Sequence, residues 1–327
     1  MESTIHFPTD LNLLWDSARK CLDTVNAILA NHSLEGWRKR KYWYKTIKKD
    51  HREAANIHQK KGKDYQKRLG EAAEKYLSHS RDLSLMVEHS RKEIAPAALS
   101  DMVLASLLKD LTYYHQMLDK HIGLVERRII KGEAIPHAEK IFSIFEPHTE
   151  WIQKGKHGKA VELGHNALLT TDQFQFIVDH GVLVGKGDKA QPIPLAGRLK
   201  KRFAADYVLG SISFDRGFYS LLAKKALQKE FGEVVMPKNS KKTLQQEIEE
   251  EAKTFVALRK KHSAVESNIN ELEHGGVNRV PDKGLEGFKK YVAMGVLAYN
   301  LKRLGKMVMQ EQLLPTVVMP GKLRMAA

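Results

Sequence analysis

Cysteine is almost missing from this chain. Its 327 residues hold one, Cys21. That excludes an intramolecular disulfide and any zinc site built on several thiolates, and it suits a reducing cytosol. Long apolar runs are missing as well. The longest unbroken ones are a few residues, against the roughly 20 that a membrane helix needs. The opening MESTIHFPTD has neither the basic nor the apolar region of a signal peptide. The expectation is a soluble protein of the cytoplasm. No repeat of 20–50 residues and no low-complexity tract is present, and the 15 histidines show no zinc-ligand spacing. Gly185-Lys186-Gly187 lacks the spacing of a Walker-type phosphate loop.

What is present is a globular composition with a lopsided charge. Hydrophobic residues make up 42%, enough for a buried core in one large domain or two. Lys and Arg total 54 against 39 Asp and Glu, a net of +15. Residues 36–75 carry 14 Lys/Arg and 5 Asp/Glu, which is +9 in a short stretch. Charge clustered in this way is the electrostatic footprint of a polyanion-binding surface. Within GWRKRKYWYKTIKKD, Arg38, Lys39, Arg40, Lys41, Lys45, Lys48 and Lys49 are candidate phosphate contacts. Trp37, Tyr42, Trp43 and Tyr44 are interleaved with them, and Trp37 and Trp43 are equally readable as core residues. Lys154, Lys156 and Lys159 form a smaller basic turn.

Hydrophobic periodicity divides the chain into four parts. Residues 1–10 are extended and end in a helix start, with Thr9 or Asp10 as the cap. Residues 11–132 read as a subdomain of three or more long helices, with Leu11, Leu14, Trp15, Ala18, Leu22 and Val25 at helical spacing. Residues 133–310 mix strands and helices: strands are predicted over 141–153, 161–172, 174–185 and 233–238, and one long helix near 242–274. A last amphipathic helix follows, and 311–327 reads as a loose tail. Strands followed by strand–helix–strand, with an early helical block, predict an α/β protein with an all-helical insertion.

The stretch that organises the mixed part is YVLGSISFDRGFY, residues 207–219. It reads as a half-buried strand over 208–214 that delivers Asp215 to its end. Downstream, KHSAVESNINELEHGG reads as a helix carrying Glu266 and stopped at Gly275-Gly276. A rigidly held strand-end carboxylate and a helical one can together hold a hard divalent cation. Taken alone, Asp215 also reads as a turn or cap residue and Glu266 as a solvated charge.

With those motifs in hand, the chain resembles the DDE transposases of bacterial insertion sequences, in particular the ISNCY-like group. The matching pieces are IHFPTDLNLLWDSAR, IFSIFEPHTEWIQKGK, VELGHNALLTTDQFQFIVDH, SFDRGFYS and HSAVESNINELEHGGVNRVPDKGLEGFKKYVAMGVLAYNLKRLG. They span nearly the whole chain in the family's order. The resemblance implies a ribonuclease-H-like mixed sheet with a large helical insertion after its first strand, and carboxylates holding two Mg²⁺ ions. It makes Asp215 the second acid of the triad and Glu266 the third. It also implies double-stranded DNA as partner (element ends and target), a homo-oligomer when active, and a place at the bacterial nucleoid. In the family the first acid precedes the segment matching IHFPTD, whereas here Met1-Glu2-Ser3-Thr4 opens the chain. The expectation is therefore a truncated start, an inactive short chain, and an Asp10 that keeps its ordinary place at a helix start. A non-catalytic DNA-binding remnant is the alternative. Asn270 and Arg279 are further candidates for DNA contact or for structure.

Overall fold

A computed structural model describes residues 1–5, 7–153, 161–185, 187–203 and 209–313, with side chains through 310. It is a mixed α and β protein that divides into two compact units, Ile5–Thr149 and Met1–Thr4 with Glu150–Ala327.

The helical unit is built on α1 (Asp10–Ile28), α2 (Arg40–Lys60), α3 (Tyr65–Ile94) and α4 (Met102–Val125). Thr9 caps α1 by accepting from the Asn12 N–H at 3.1 Å, and Asp101 caps α4 by accepting from Val103 and Leu104. Leu11, Leu14, Ala18, Cys21, Leu22, Val25 and Ile28 of α1 fall on one stripe, and all are buried. Against them lie Leu111, Leu118, Ile122 and Val125 of α4 and Tyr76, Leu77 and Leu83 of α3. Burial pushes the Cys21 thiol far up, so it is packing material rather than a nucleophile.

This unit runs to residue 149 rather than ending at 132. The strand expected over 141–153 is regular only at β2 (Glu150–Gln153). Upstream of it the Ser143 hydroxyl accepts from the Phe145 and Glu146 N–H groups, a local turn that competes with a ladder. Ile144 and Phe142 are buried there, and the Tyr113 hydroxyl donates to the Ile144 carbonyl at 2.8 Å.

Two histidines of the bundle set an expected acid sensitivity. His121 is fully buried. Its Nδ1–H donates to the Met117 carbonyl at 2.7 Å, while Nε2 has no partner among the described residues. Burial lowers its pKa to about 4, and burial followed by the Arg52 charge does the same for His51. The fold therefore prefers both rings neutral, while the unfolded chain protonates them near 6.5. Stability is full above that value and is lost as pH falls from about 6.5 towards 4. The loss is on the order of 3 kcal/mol for a shift of this size. Three of the four tryptophans (Trp15, Trp37, Trp43) lie in this unit, so their fluorescence reports its unfolding. The urea midpoint should drop between pH 7 and pH 4.5, and His121→Gln should flatten that dependence. An unchanged midpoint would contradict the account.

Among the described residues the second unit holds three small sheets. β1 (Glu2–Ser3), β2, β3 (Val161–Gly164) and β8 (Arg279–Val280) form one mixed sheet in the order β2-β3-β1-β8, with β1 antiparallel to β3 and parallel to β8. β4 (Asn166–Thr171) and β5 (Ile177–Leu183) pair as an antiparallel hairpin. β6 (Ser211–Ser213) and β7 (Glu233–Val235) pair in parallel. The expected central strand is thus shorter than 208–214, and residues 204–208 lie outside the described ones.

Around the sheets lie α5 (Pro192–Phe203), α6 (Leu221–Leu227), α7 (Leu244–Glu251), α8 (Lys253–Leu272) and α9 (Gly284–Leu313). The single helix expected near 242–274 is broken at Ala252, whose ψ of 136° is extended. Side chains just before the break are tied elsewhere: Glu249 to Lys224 at 2.7 Å, and Glu250 to Lys242 at 2.7 Å and the Lys238 N–H at 3.0 Å. α8 ends in a wide turn over Glu273–Val277, where Gly276 takes φ 101°, a conformation that favours glycine. α9 then packs Phe288, Val292, Val296 and Tyr299 against Leu272, Val277 and Val280. Gly295 permits this crossing, because a Cβ there would collide with Val277 Cγ2.

Candidate functional site

β6 carries buried Ile212 and, one residue past its end, buried Phe214, whose N–H donates to the Val235 carbonyl at 2.8 Å. This anchors the strand end and leaves Asp215 exposed beyond it. Asp215 caps the short 3₁₀ turn Arg216–Phe218, with Oδ1 accepting from the Arg216 N–H at 2.6 Å. The cap role therefore holds, and it also fixes the carboxylate. Gly217 lies in that turn. A Cβ on it would come 3.1 Å from Asp188 Oδ2, so a further carboxylate approaches the turn.

Glu266 is exposed on α8, which packs against β6 and β7. Among the described residues it has no ion-pair partner. One turn before it, at the i−4 position, stands half-buried His262. Burial pushes the His262 pKa down, while the charge of Asp215 and then of Glu266 pulls it up. Two carboxylates 51 residues apart in sequence thus act on one imidazole. Sequence reasoning passed over His262, although HSAVE, a histidine four residues before the glutamate on a helix, was there to be read.

Two exposed carboxylates, one on a strand end and one on a helix, are hard oxygen donors of the kind Mg²⁺ prefers. Among the described residues no group of three or more His, Cys, Asp and Glu is placed to hold a metal ion. Two residues past Glu266, Asn268 is buried, and its Nδ2 has no partner among the described residues. Asn270 and Arg279 are both exposed.

The basic stretch lies at the start of α2. Arg38 and Lys39 are exposed in the 3₁₀ turn Trp37–Lys39, and Arg40 and Lys41 are exposed in the first turn of the helix. Lys45 and Lys49 are exposed further along, and Lys48 lies half-buried with Nζ 5.6 Å from the Tyr44 ring centroid. An open cavity of about 830 Å³ is lined by His32, Trp37, Arg38, Lys39, Arg40 and Tyr42 among others. Four cations at the positive end of a helix oppose its dipole, by roughly 0.3–1 kcal/mol each. The first turn has no acidic residue and no side-chain cap to offset this. The arrangement is favourable once an anion docks. Of the interleaved aromatics, Trp37 is core, with its Nε1–H donating to Ser90 Oγ at 2.6 Å, and Trp43 and Tyr44 pack against the core. Tyr42 remains largely exposed. The start of α2 thus presents exposed cations with one largely exposed ring among them. Lys154, Lys156 and Lys159 lie outside the described residues.

A Ser–His–Asp set also occurs in the helical unit, and its wiring rules out nucleophile activation. Arg91 donates to His115 Nδ1 at 2.8 Å, so the ring proton sits on Nε2. Nε2 lies 2.8 Å from Ser84 Oγ and donates to it, and that hydroxyl donates to Asp119. The histidine cannot take the serine's proton while it donates to the serine. The set is a polar clasp between α3 and α4.

No family model, curated protein or solved structure matches the chain.

Proposed function

We propose that the chain is a DNA transposase of the DDE type, carrying out metal-dependent cleavage and strand transfer at the ends of an insertion sequence. The observation that carries this reading is that α8, which bears Glu266 and His262, packs against β6, whose end bears Asp215, so that both carboxylates act on the His262 ring, in a unit of mixed α and β structure. The cation cluster at the start of α2 supplies the DNA-binding surface. Asp215 and Glu266 would hold Mg²⁺, which when bound activates the attacking oxygen and stabilises the leaving one in an in-line displacement. In the intact family site two such ions serve the two ends of that displacement. The residues of this chain orient the site: the Arg216 N–H holds Asp215, and α8 presents Glu266 and His262 on one face.

A second reading, a DNA-binding protein of the same descent without catalysis, is favoured by the lack of a third ligand among the described residues. Labelled element-end DNA incubated with the protein and Mg²⁺ separates the two. Nicked and joined products that vanish on chelation support the transposase. Retained DNA binding with no product, in Mg²⁺ or Mn²⁺, supports the second reading, and absence of binding refutes both.

A further inference from the structure

The C-terminal helix α9 is apolar on two opposite sides. One side, Phe288, Val292, Val296 and Tyr299, is buried in its own unit. The other side consists of Met294, Leu297, Leu301, Leu304 and Val308, which are 63%, 50%, 59%, 50% and 43% exposed. A helix that is apolar all round belongs in an interior. From Leu304 to Gln310 every residue is exposed, so among the described residues the apolar side chains of this last part of the helix are left uncovered. Such a helix is marginal in water without a partner.

The spacing of the exposed stripe identifies the partner. Positions 294, 297, 301, 304 and 308 alternate in steps of three and four residues, the spacing of the a and d positions along two heptads of a coiled-coil seam. In that register the flanking positions are Ala298, Asn300, Gly305 and Met307, none of them charged. The cations of this stretch are held by the chain's own unit. Lys302 and Lys306 reach Glu271 at 2.8 and 3.4 Å, and Arg303 donates to the Phe174 carbonyl at 3.1 Å. In a chain of net charge +15, a self-complementary apolar strip with no flanking charge lets a second copy approach without like charges meeting along the seam.

We infer that α9 pairs with α9 of a second copy of this chain in a short two-stranded coiled coil, with Leu297, Leu301 and Leu304 at its centre. The seam is about 21 Å long at 1.5 Å per residue. Pairing two copies removes roughly 1,000 Å² from water, the lower bound for a specific interface. The dimer is accordingly weak and concentration-dependent, with a dissociation constant on the order of micromolar.

Sedimentation equilibrium of the full chain, free of DNA and at about 0.5 M salt to screen its charge, tests this. A reversible monomer–dimer equilibrium is expected. The double variant Leu297→Glu, Leu301→Glu should weaken it at least about a hundredfold, with unchanged helix content by circular dichroism because both side chains are exposed in the monomer. Should that variant lose helix content, Leu297→Ala, Leu301→Ala keeps helix propensity and must weaken dimerisation in the same direction. A wild-type chain that stays monomeric up to roughly 100 µM, well above the expected constant, overturns the inference. So does a dimer that either folded variant leaves intact.

Discussion

Raising salt from about 50 mM to 200 mM should weaken binding of duplex DNA by about three to five orders of magnitude, if six to ten phosphates are neutralised. The basis is the +9 carried by residues 36–75 and the exposure of Arg38, Lys39, Arg40, Lys41, Lys45 and Lys49 along the start of α2. Each neutralised phosphate releases condensed counterions, so the slope of log K against log salt counts the contacts at about 0.9 per phosphate. Replacing Arg38, Lys39, Arg40 and Lys41 with Ala should lower affinity and flatten the slope by about 3 to 4. It should also leave the bundle folded, because all four side chains are exposed and removing cations from a helix N-terminus relieves the dipole. The discrimination between DNA sequences should be small, since this stretch offers exposed cations and, of its interleaved aromatics, only Tyr42 largely exposed. An unchanged slope in the quadruple variant would move the DNA surface elsewhere on the chain.

Much of this molecule was legible in its residues, for identifiable reasons. The α1 stripe from Leu11 to Val25 is a strong helical period, and the structure carries it as a buried face. The strands β5 and β7 came from apolar runs bounded by turn residues, whereas the single strand expected over 161–172 divides at His165 into β3 and β4 of two different sheets. Local pattern misled where tertiary ties decide. IFSIF looks like a strand, yet Ser143 captures the backbone donors and Ile144 is drawn into the helical unit. The helix near 242–274 looks continuous, yet Glu249 and Glu250 are pulled towards Lys224 and Lys242 and the chain breaks at Ala252. At the candidate site, residue type and flanking patterns put Asp215 at a strand end and Glu266 on a helix, where the structure has them; their shared role is what the resemblance implies. His262 was not legible, because a histidine on a polar helix has no distinctive local pattern. Its significance lies in what the fold brings to it. The exposed seam of α9 was hidden for the opposite reason: an amphipathic reading assigns all its apolar residues to one core.

Asp215→Asn and Glu266→Gln should each reduce Mg²⁺-dependent cleavage and joining of element-end DNA by about a thousandfold or more, if the chain is the transposase proposed, because each removes a hard anionic ligand from a site with few of them. Neither should unfold the protein, as both side chains are exposed; the Asn side chain can still accept from the Arg216 N–H. A second readout does not depend on catalysis. Burial lowers the His262 pKa, and the two carboxylates oppose that by stabilising the imidazolium. Removing either negative charge should therefore move the His262 titration to lower pH, and removing both should move it further. Adding Mg²⁺ to the wild-type chain should move it the same way, since a bound cation neutralises the carboxylates. Histidine side-chain NMR over pH 4–8 measures this, with His262→Gln identifying the resonance. If only one of the two substitutions shifts the titration, the carboxylates do not share a site and the catalytic pair is wrong. If both shift it but Mg²⁺ does not, and cleavage is absent, the pair is real and the DNA-binding remnant is the correct reading.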